Sequence, residues 1–141
     1  MEYRAFGSDY IIRLDPGEEI LETLTAFCKK EDIKLGVVYG LGATDLVTVS
    51  VYDLKEQVFS TKTFEEPMEI SNLTGNINTM DGETYLHLHI TLCDRALAAH
   101  GGHLKACRIS ATGELHVHKI EGCVDRKKDP VTGLNIFDFE S

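Results

Sequence analysis

Residues 85–92 read Tyr-Leu-His-Leu-His-Ile-Thr-Leu, and this stretch decides the predicted fold. Apolar and polar side chains alternate with a period of two, which is typical of a strand with one buried face. A hydrophobic core accounts for the leucine and isoleucine face. It does not account for His87 and His89, which lie side by side on the opposite face. We therefore treat that face as a candidate site.

A third histidine follows at a suitable distance along the chain. All six histidines fall between residues 87 and 118, and His100-Gly101-Gly102-His103 begins the next predicted strand. Antiparallel pairing would bring His103 alongside the first two histidines, and three imidazoles on neighbouring strands can bind one metal ion. The predicted ligands are His87, His89 and His103. Zinc is the favoured ion, although iron, nickel, copper or cobalt also suit imidazole ligands.

Two further side chains are open candidates for a fourth ligand. Cys93 lies on the same strand face, and His100 lies in the loop before His103. A second His-x-His pair, His116 and His118, has no evident third partner, and we predict that it is surface.

Further elements are predicted on both sides of this strand. Asp15 is a possible helix cap with Pro16 at the first helical position, which predicts one helix from Pro16 to Lys30. We predict an α+β fold, a mostly antiparallel β-sheet with one main flanking helix, in a single domain over residues 1–141. The other predicted strands are Tyr10–Leu14, Leu35–Ala43 (bent or bulged at its glycines), Leu46–Tyr52, Gln57–Phe64, Met68–Ile77, Gly102–Ile109, Glu114–Ile120 and Leu134–Phe139. A polar turn is predicted at Asn78–Gly82 and a second turn at Asp129–Gly133.

Composition limits the environment and the partners. The four cysteines form no C-x-x-C pair, the N-terminus lacks a signal-peptide pattern, and no apolar run reaches membrane-span length. These features predict a reducing, cytoplasmic setting with free thiols and no membrane association. The formal net charge of −9 opposes binding to bare nucleic acid. The densest basic run, Arg126-Lys127-Lys128, is predicted to be a solvated turn.

Three motifs in order resemble the PPC (plant-and-prokaryote-conserved) family. Residues 68–76 are similar to its Gly-Arg-Phe-Glu-Ile-Leu-x-Leu-x-Gly segment, and residues 87–94 to its His-Leu-His-Val-x-Leu-x-Asp strand. Residues 101–104 match its Gly-Gly-His-Leu. The likeness extends over nearly the whole chain. Two departures are the missing arginine at Pro67-Met68 and the absence of the AT-hook found in plant members.

The resemblance carries several expectations. It implies a homotrimer with Glu69 and Ile70 near the trimer contact. It also implies a metal site, because the three motif histidines correspond to His87, His89 and His103. Members are commonly described as predicted DNA-binding proteins, so DNA or a DNA-associated protein is a possible partner, although for this acidic chain that rests on analogy.

Three hypotheses of function follow from these features. The first is a metal-binding interaction module, in a regulatory or DNA-associated role. The alternative is a small metal-dependent enzyme, of hydrolase or lyase type, that uses the open coordination position of a three-histidine site. Glu69 or Glu83 is then the candidate general base. In the third, the histidines are structural and bind no metal. Whether the chain is an enzyme stays open at this point.

Overall fold

The computed structural model describes residues 1–140, in which nine strands accompany one helix. Ser141, the last residue of the domain predicted over 1–141, lies outside the described residues. The α+β class with a mostly antiparallel sheet and one main helix is confirmed. The elements in chain order are β1 Glu2–Phe6, β2 Asp9–Leu14, α1 Ile20–Lys30, β3 Gly36–Asp53, β4 Val58–Phe64, β5 Met68–Met80, β6 Glu83–Cys93, β7 Ala99–Lys119, β8 Asp125–Lys128 and β9 Asn135–Asp138.

Seven strands form one antiparallel sheet in the order β1-β2-β7-β6-β5-β3-β4. The long strands β3 and β7 also pair with each other, so the sheet closes on itself through β3, β5, β6 and β7. The remaining two strands, β8 and β9, form a separate hairpin near the C-terminus. Because β6 pairs with both β5 and β7, its face is held rigidly between two neighbours.

The alternation predicted for β6 is confirmed. Leu88, Ile90 and Leu92 are buried in the single core cluster, whereas His87 and His89 lie on the other face. Helix α1 covers one end of this core with its apolar side, where Phe27 contacts two tyrosine rings at centroid distances of 5.0 and 5.2 Å. Burial of these aromatic and aliphatic side chains provides most of the stability of the fold.

The helix begins at Ile20 rather than at Pro16. Residues 17 and 18 are instead bound to β7, since Gly17 donates to the Ile109 carbonyl and Ile109 donates to the Glu18 carbonyl. Glu19 is the actual N-cap, and its carboxylate accepts from the backbone N–H of Glu22 at 2.7 Å. Tertiary backbone pairing therefore outcompetes the local helix signal at Asp15 and Pro16.

Several strands are longer than predicted. The two segments predicted within β3 form one strand with a bulge between Gly40 and Gly42, and the two predicted within β7 also form one strand. Strand β5 continues past Ile77 to Met80 because it stays paired with β6. Asn78, predicted to lie in a turn, is fully buried and accepts hydrogen bonds from Arg126. The bulge predicted at the glycines is confirmed.

The basic run at residues 126–128 is not a solvated turn. It forms strand β8, and Arg126 is only 7% exposed. The turn predicted at Asp129–Gly133 and the strand after it are confirmed, with Asp129 accepting from the backbone N–H of Thr132 at 3.0 Å.

All four cysteines are free thiols, as predicted. Burial raises the pKa of Cys28 to about 12 and that of Cys107 to about 11, so neither is a nucleophile. Among residues 1–140, no helix combines the length and apolar character needed to cross a bilayer.

Candidate metal centre

Strand pairing brings the three predicted histidines together. His87 and His89 are two residues apart on β6, and His103 is the direct partner of His89 in the β6–β7 register. The three ring centroids lie 5.2 to 5.6 Å apart. One nitrogen from each ring can be chosen so that all three lie within 4.8 Å of one another.

This arrangement fits a metal ion by its donor chemistry. Zinc–nitrogen distances of about 2.1 Å in a tetrahedral site put two ligand nitrogens about 3.4 Å apart, so the three imidazoles would move closer together around a bound ion. Burial lowers the pKa of His87, and the positive charge of Arg126 lowers it further. Burial, assisted by Lys105 and the other two histidines, lowers the pKa of His103 to about 4. Both imidazoles are therefore neutral near pH 7, which is the form that binds metal.

Steric contacts explain why two glycines precede His103. A Cβ on Gly102 would stand 2.7 Å from the carbonyl oxygen of Ser50 on β3, and one on Gly101 would collide with the carbonyl of Ile90 on β6. Only glycine lets β7 pass between these two strands. This close passage puts His103 opposite His89.

The three histidines line a pocket of about 860 Å³. One wall comes from β3, β6 and β7, and the other comes from the β8–β9 hairpin, which contributes Arg126, Lys128 and Phe137. A metal held by three imidazoles has at least one further coordination position. The arrangement can therefore present a Lewis acid to a small molecule in this pocket.

The other candidate ligands and bases lie outside this cluster. Cys93 contacts the Ser71 hydroxyl at 3.1 Å, and His100 contacts the Asp94 carboxylate at 2.8 Å. Glu83 forms an ion pair with Lys29 at 2.6 Å, and Glu69 pairs with Cys93 at the far end of β6. Within the described part of the chain, no aspartate or glutamate lines the pocket.

The second histidine pair does have a partner. His116 and His118 contact the same oxygen of Asp9, at 2.7 and 3.0 Å, and the Tyr39 hydroxyl bonds to the other ring nitrogen of His116. These hydrogen bonds lower the pKa of Asp9. Spacing could not reveal this contact, because Asp9 is more than a hundred residues from the pair and only the β2–β7 register joins them.

Sequence reasoning missed the place of Arg126 in the pocket, because it assigned the run at residues 126–128 to a solvated turn. Arg126 lies in the wall of the pocket that His87, His89 and His103 also line, although its sequence neighbours are charged and polar. A buried cation in such a run gives no periodic signal. The cue to the hairpin in the sequence is the turn at Asp129–Gly133, which predicts that the chain reverses after residue 128.

The sequence profile of the Plants and Prokaryotes Conserved (PCC) domain matches residues 1–121, which include all three histidines. This chain belongs to that family. The PPC membership predicted from the three motifs is thus confirmed. The profile ends before the β8–β9 hairpin, so the family match covers the pocket wall that carries the three histidines but not the opposite wall.

Solved structures resemble this PPC domain over its whole length. A Bacteroides thetaiotaomicron protein, provisionally described as DNA-binding, is 40% identical with a TM-score of 0.96, covering 99% of this chain and 98% of that one. An Archaeoglobus fulgidus protein described as metal-containing is 25% identical with a TM-score of 0.86, and 96% of each chain is covered.

Curated relatives align over most of the chain but are much longer. Bifunctional protein GlmU from two Synechococcus strains is 30% identical over 127 and 126 residues, which is 88% of this chain. This chain spans 19% of the length of those relatives.

Ile70, expected near a trimer contact, belongs to this chain's own core with 3% exposure. Its neighbour Glu69 is exposed. The side chain of Ile70 therefore packs in the core of its own subunit.

Proposed function

We propose that this PPC domain binds one divalent transition-metal ion, zinc in the first place, through His87, His89 and His103. The observation that carries this proposal is the convergence of three ring nitrogens within 4.8 Å on the wall of a pocket. The lowered pKa values of His87 and His103 favour the neutral, metal-binding form. The metal-containing Archaeoglobus protein, at 25% identity, adds support. The chain then acts as a metal-dependent binding module with an open position toward the pocket.

The direct test is the metal content of tag-free protein by elemental mass spectrometry. We expect about one zinc ion per chain, either as purified or after incubation with zinc and desalting. Protein that holds no transition metal after this treatment would refute the proposal and leave the histidines with a structural role.

A DNA-associated role is a second candidate. It is favoured by the Bacteroides structure, which is 40% identical over nearly its full length and provisionally described as DNA-binding. The net charge of −9 opposes it. If the role holds, fluorescence anisotropy with a short duplex should show binding that weakens steeply between about 50 and about 200 mM salt, because phosphate contacts release counterions. Absence of binding at the lower salt concentration would exclude DNA as a direct partner.

A homotrimer is also part of the proposal. Exposed apolar side chains surround a groove on β1, β2 and β3, among them Phe6 (61% exposed), Ile11 (51%) and Leu41 (53%). Such a patch favours association between subunits. Light scattering should give three times the chain mass of 15.7 kDa, and a mass equal to one chain would contradict the trimer.

The alternative remains a small metal-dependent enzyme of hydrolase or lyase type. When bound, a three-histidine zinc ion would lower the pKa of a water ligand to about 7. Because no carboxylate of the described chain lines the pocket, Glu69 and Glu83 are not positioned as the general base considered for this role. Zinc-dependent turnover of an activated ester that disappears in a His103→Ala variant would favour the enzyme over the binding module.

A further inference from the structure

Arg126 is buried in the pocket of the three histidines, and its guanidinium group contacts no carboxylate of residues 1–140. Its guanidinium group lies between the rings of Tyr85 and Phe137, with its central carbon 4.7 and 4.5 Å from their centroids. It donates hydrogen bonds to the side-chain oxygens of Asn76 and Asn78 and to the backbone carbonyl of Asn135, at 2.7 to 3.3 Å. All of these acceptors are neutral, and burial lowers the pKa of the arginine.

The charge of the pocket is opposite to that of the protein. The chain has a net charge of −9, yet the pocket is lined by Lys105, Arg126 and Lys128 and, within residues 1–140, by no aspartate or glutamate. Buried charged groups are normally paired, because removing them from water costs several kcal/mol without a counter-charge. Arg126 is 93% buried and its hydrogen-bond acceptors are all neutral, so the described residues leave its charge without a counter-charge in the pocket wall.

Donors remain available at this position. A guanidinium group has five N–H groups, and the four hydrogen bonds of Arg126 leave one N–H of Nη1 unused. The hydroxyl of Ser50, a pocket-lining residue with 2% exposure, also has no hydrogen-bond partner. Buried polar atoms without partners are rare in native proteins. An anion bound in the pocket would accept from the unused N–H of Arg126.

The anion position and the metal position share one wall. Tyr85, which stacks on Arg126, precedes His87 by two residues on the same face of β6, and Asn76, which binds Arg126, is the register partner of His87. Successive residues on one face of a strand are about 7 Å apart. The electrostatic effect of Arg126 on His87 agrees with this proximity. A ligand of a few non-hydrogen atoms can therefore contact both positions.

We infer that Arg126 binds the carboxylate or phosphate group of a small organic anion whose other end reaches the position of the metal. The contact with the metal rests on the proposed function, whereas the anion contact at Arg126 does not. Because Arg126, Lys128 and Phe137 follow residue 121, where the family profile ends, the C-terminal hairpin determines which anion is accepted.

The inference is tested by fluorine NMR with trifluoroacetate as the carboxylate probe, monofluorophosphate as the phosphate probe and trifluoroethanol as the neutral control. Each is titrated into zinc-loaded and metal-free protein at low ionic strength. We expect one of the two anions to bind and the neutral probe not to bind. Arg126→Gln should weaken that binding at least tenfold. The matched control is Lys127→Gln, since the neighbouring Lys127 bonds to Asp138 and Glu140 and does not line the pocket, and its affinity should stay within twofold of wild type.

Each outcome separates the two proposals. Binding to metal-free protein that is lost in Arg126→Gln supports the anion site even if zinc does not bind. Zinc binding without any anion binding overturns the anion site alone. A folded Arg126→Gln variant with wild-type affinity for the anion also overturns the anion site.

If the Arg126→Gln variant does not fold, the test uses cobalt-loaded wild-type protein instead. Strong paramagnetic relaxation of the bound probe would place the anion beside the metal, and normal relaxation would place it elsewhere and overturn the inference.

Discussion

Replacing His103 by alanine is expected to weaken zinc binding by about 10²–10³-fold. Four-ligand structural zinc sites have apparent binding free energies of about 10–16 kcal/mol, or about 2.5–4 kcal/mol for each ligand, and each 1.4 kcal/mol is tenfold in affinity. His103 is the one proposed ligand on β7, so the two histidines of β6 cannot replace it. The affinity is measured by competition with a chromophoric chelator.

The matched control for this variant is His118→Ala. His118 also belongs to a His-x-His pair, but it contacts Asp9 on a different part of the sheet. We expect its zinc affinity and stoichiometry to equal those of wild type. A His103→Ala protein that keeps wild-type affinity would show that the ion is bound elsewhere, and loss in both variants would point to a shared structural effect.

The second large effect is expected for Gly75→Ala, which should lower the free energy of unfolding by about 3 kcal/mol. A Cβ at this position would overlap the carbonyl oxygen of His87 and would stand 2.8 Å from the Cα of Leu88. Both atoms are backbone of β6, so no side-chain rotation relieves the contact. Strand β6 has to move away from β5, and His87 moves with it.

Urea unfolding measures the stability, and a zinc titration of the folded variant measures the site. The control is Thr74→Ala, which introduces the same residue at the exposed neighbouring position of β5 and should change stability by about 0.5 kcal/mol or less. We expect Gly75→Ala to lose zinc affinity as well as stability. Equal stability of the two variants would contradict the close approach of β5 and β6 at this glycine.

The local sequence pattern was sufficient to predict the central strands and the convergence of His87, His89 and His103. The alternation around His87 and His89 predicts a strand with an unusual polar face, and the glycine pair before His103 predicts a close return of the chain. Both predictions depend only on spacing along one strand or across one connection. The same reasoning found the turn at Asp129–Gly133, because its residues favour a chain reversal by themselves.

The local sequence pattern gave wrong predictions where contacts between residues far apart in the chain determine the structure. The helix starts four residues later than its cap signal suggests, because Gly17 and Glu18 pair with Ile109 on β7. Asn78 and Arg126 both look like solvent-exposed polar residues in the sequence, and both are buried in the fold, where they bond to each other. Neither residue alone gives a reason to expect burial.

The strand-rich fold, the family and the three converging histidines follow from the sequence, since a period of two and a glycine-rich return are properties of short segments. That these histidines line a pocket with Arg126, and that the pocket is cationic in an acidic protein, becomes visible in the folded chain alone. Charge and burial at a pocket are sums over residues that are far apart in the chain. The β8–β9 hairpin, which follows the three histidines in sequence, becomes their neighbour when the chain folds.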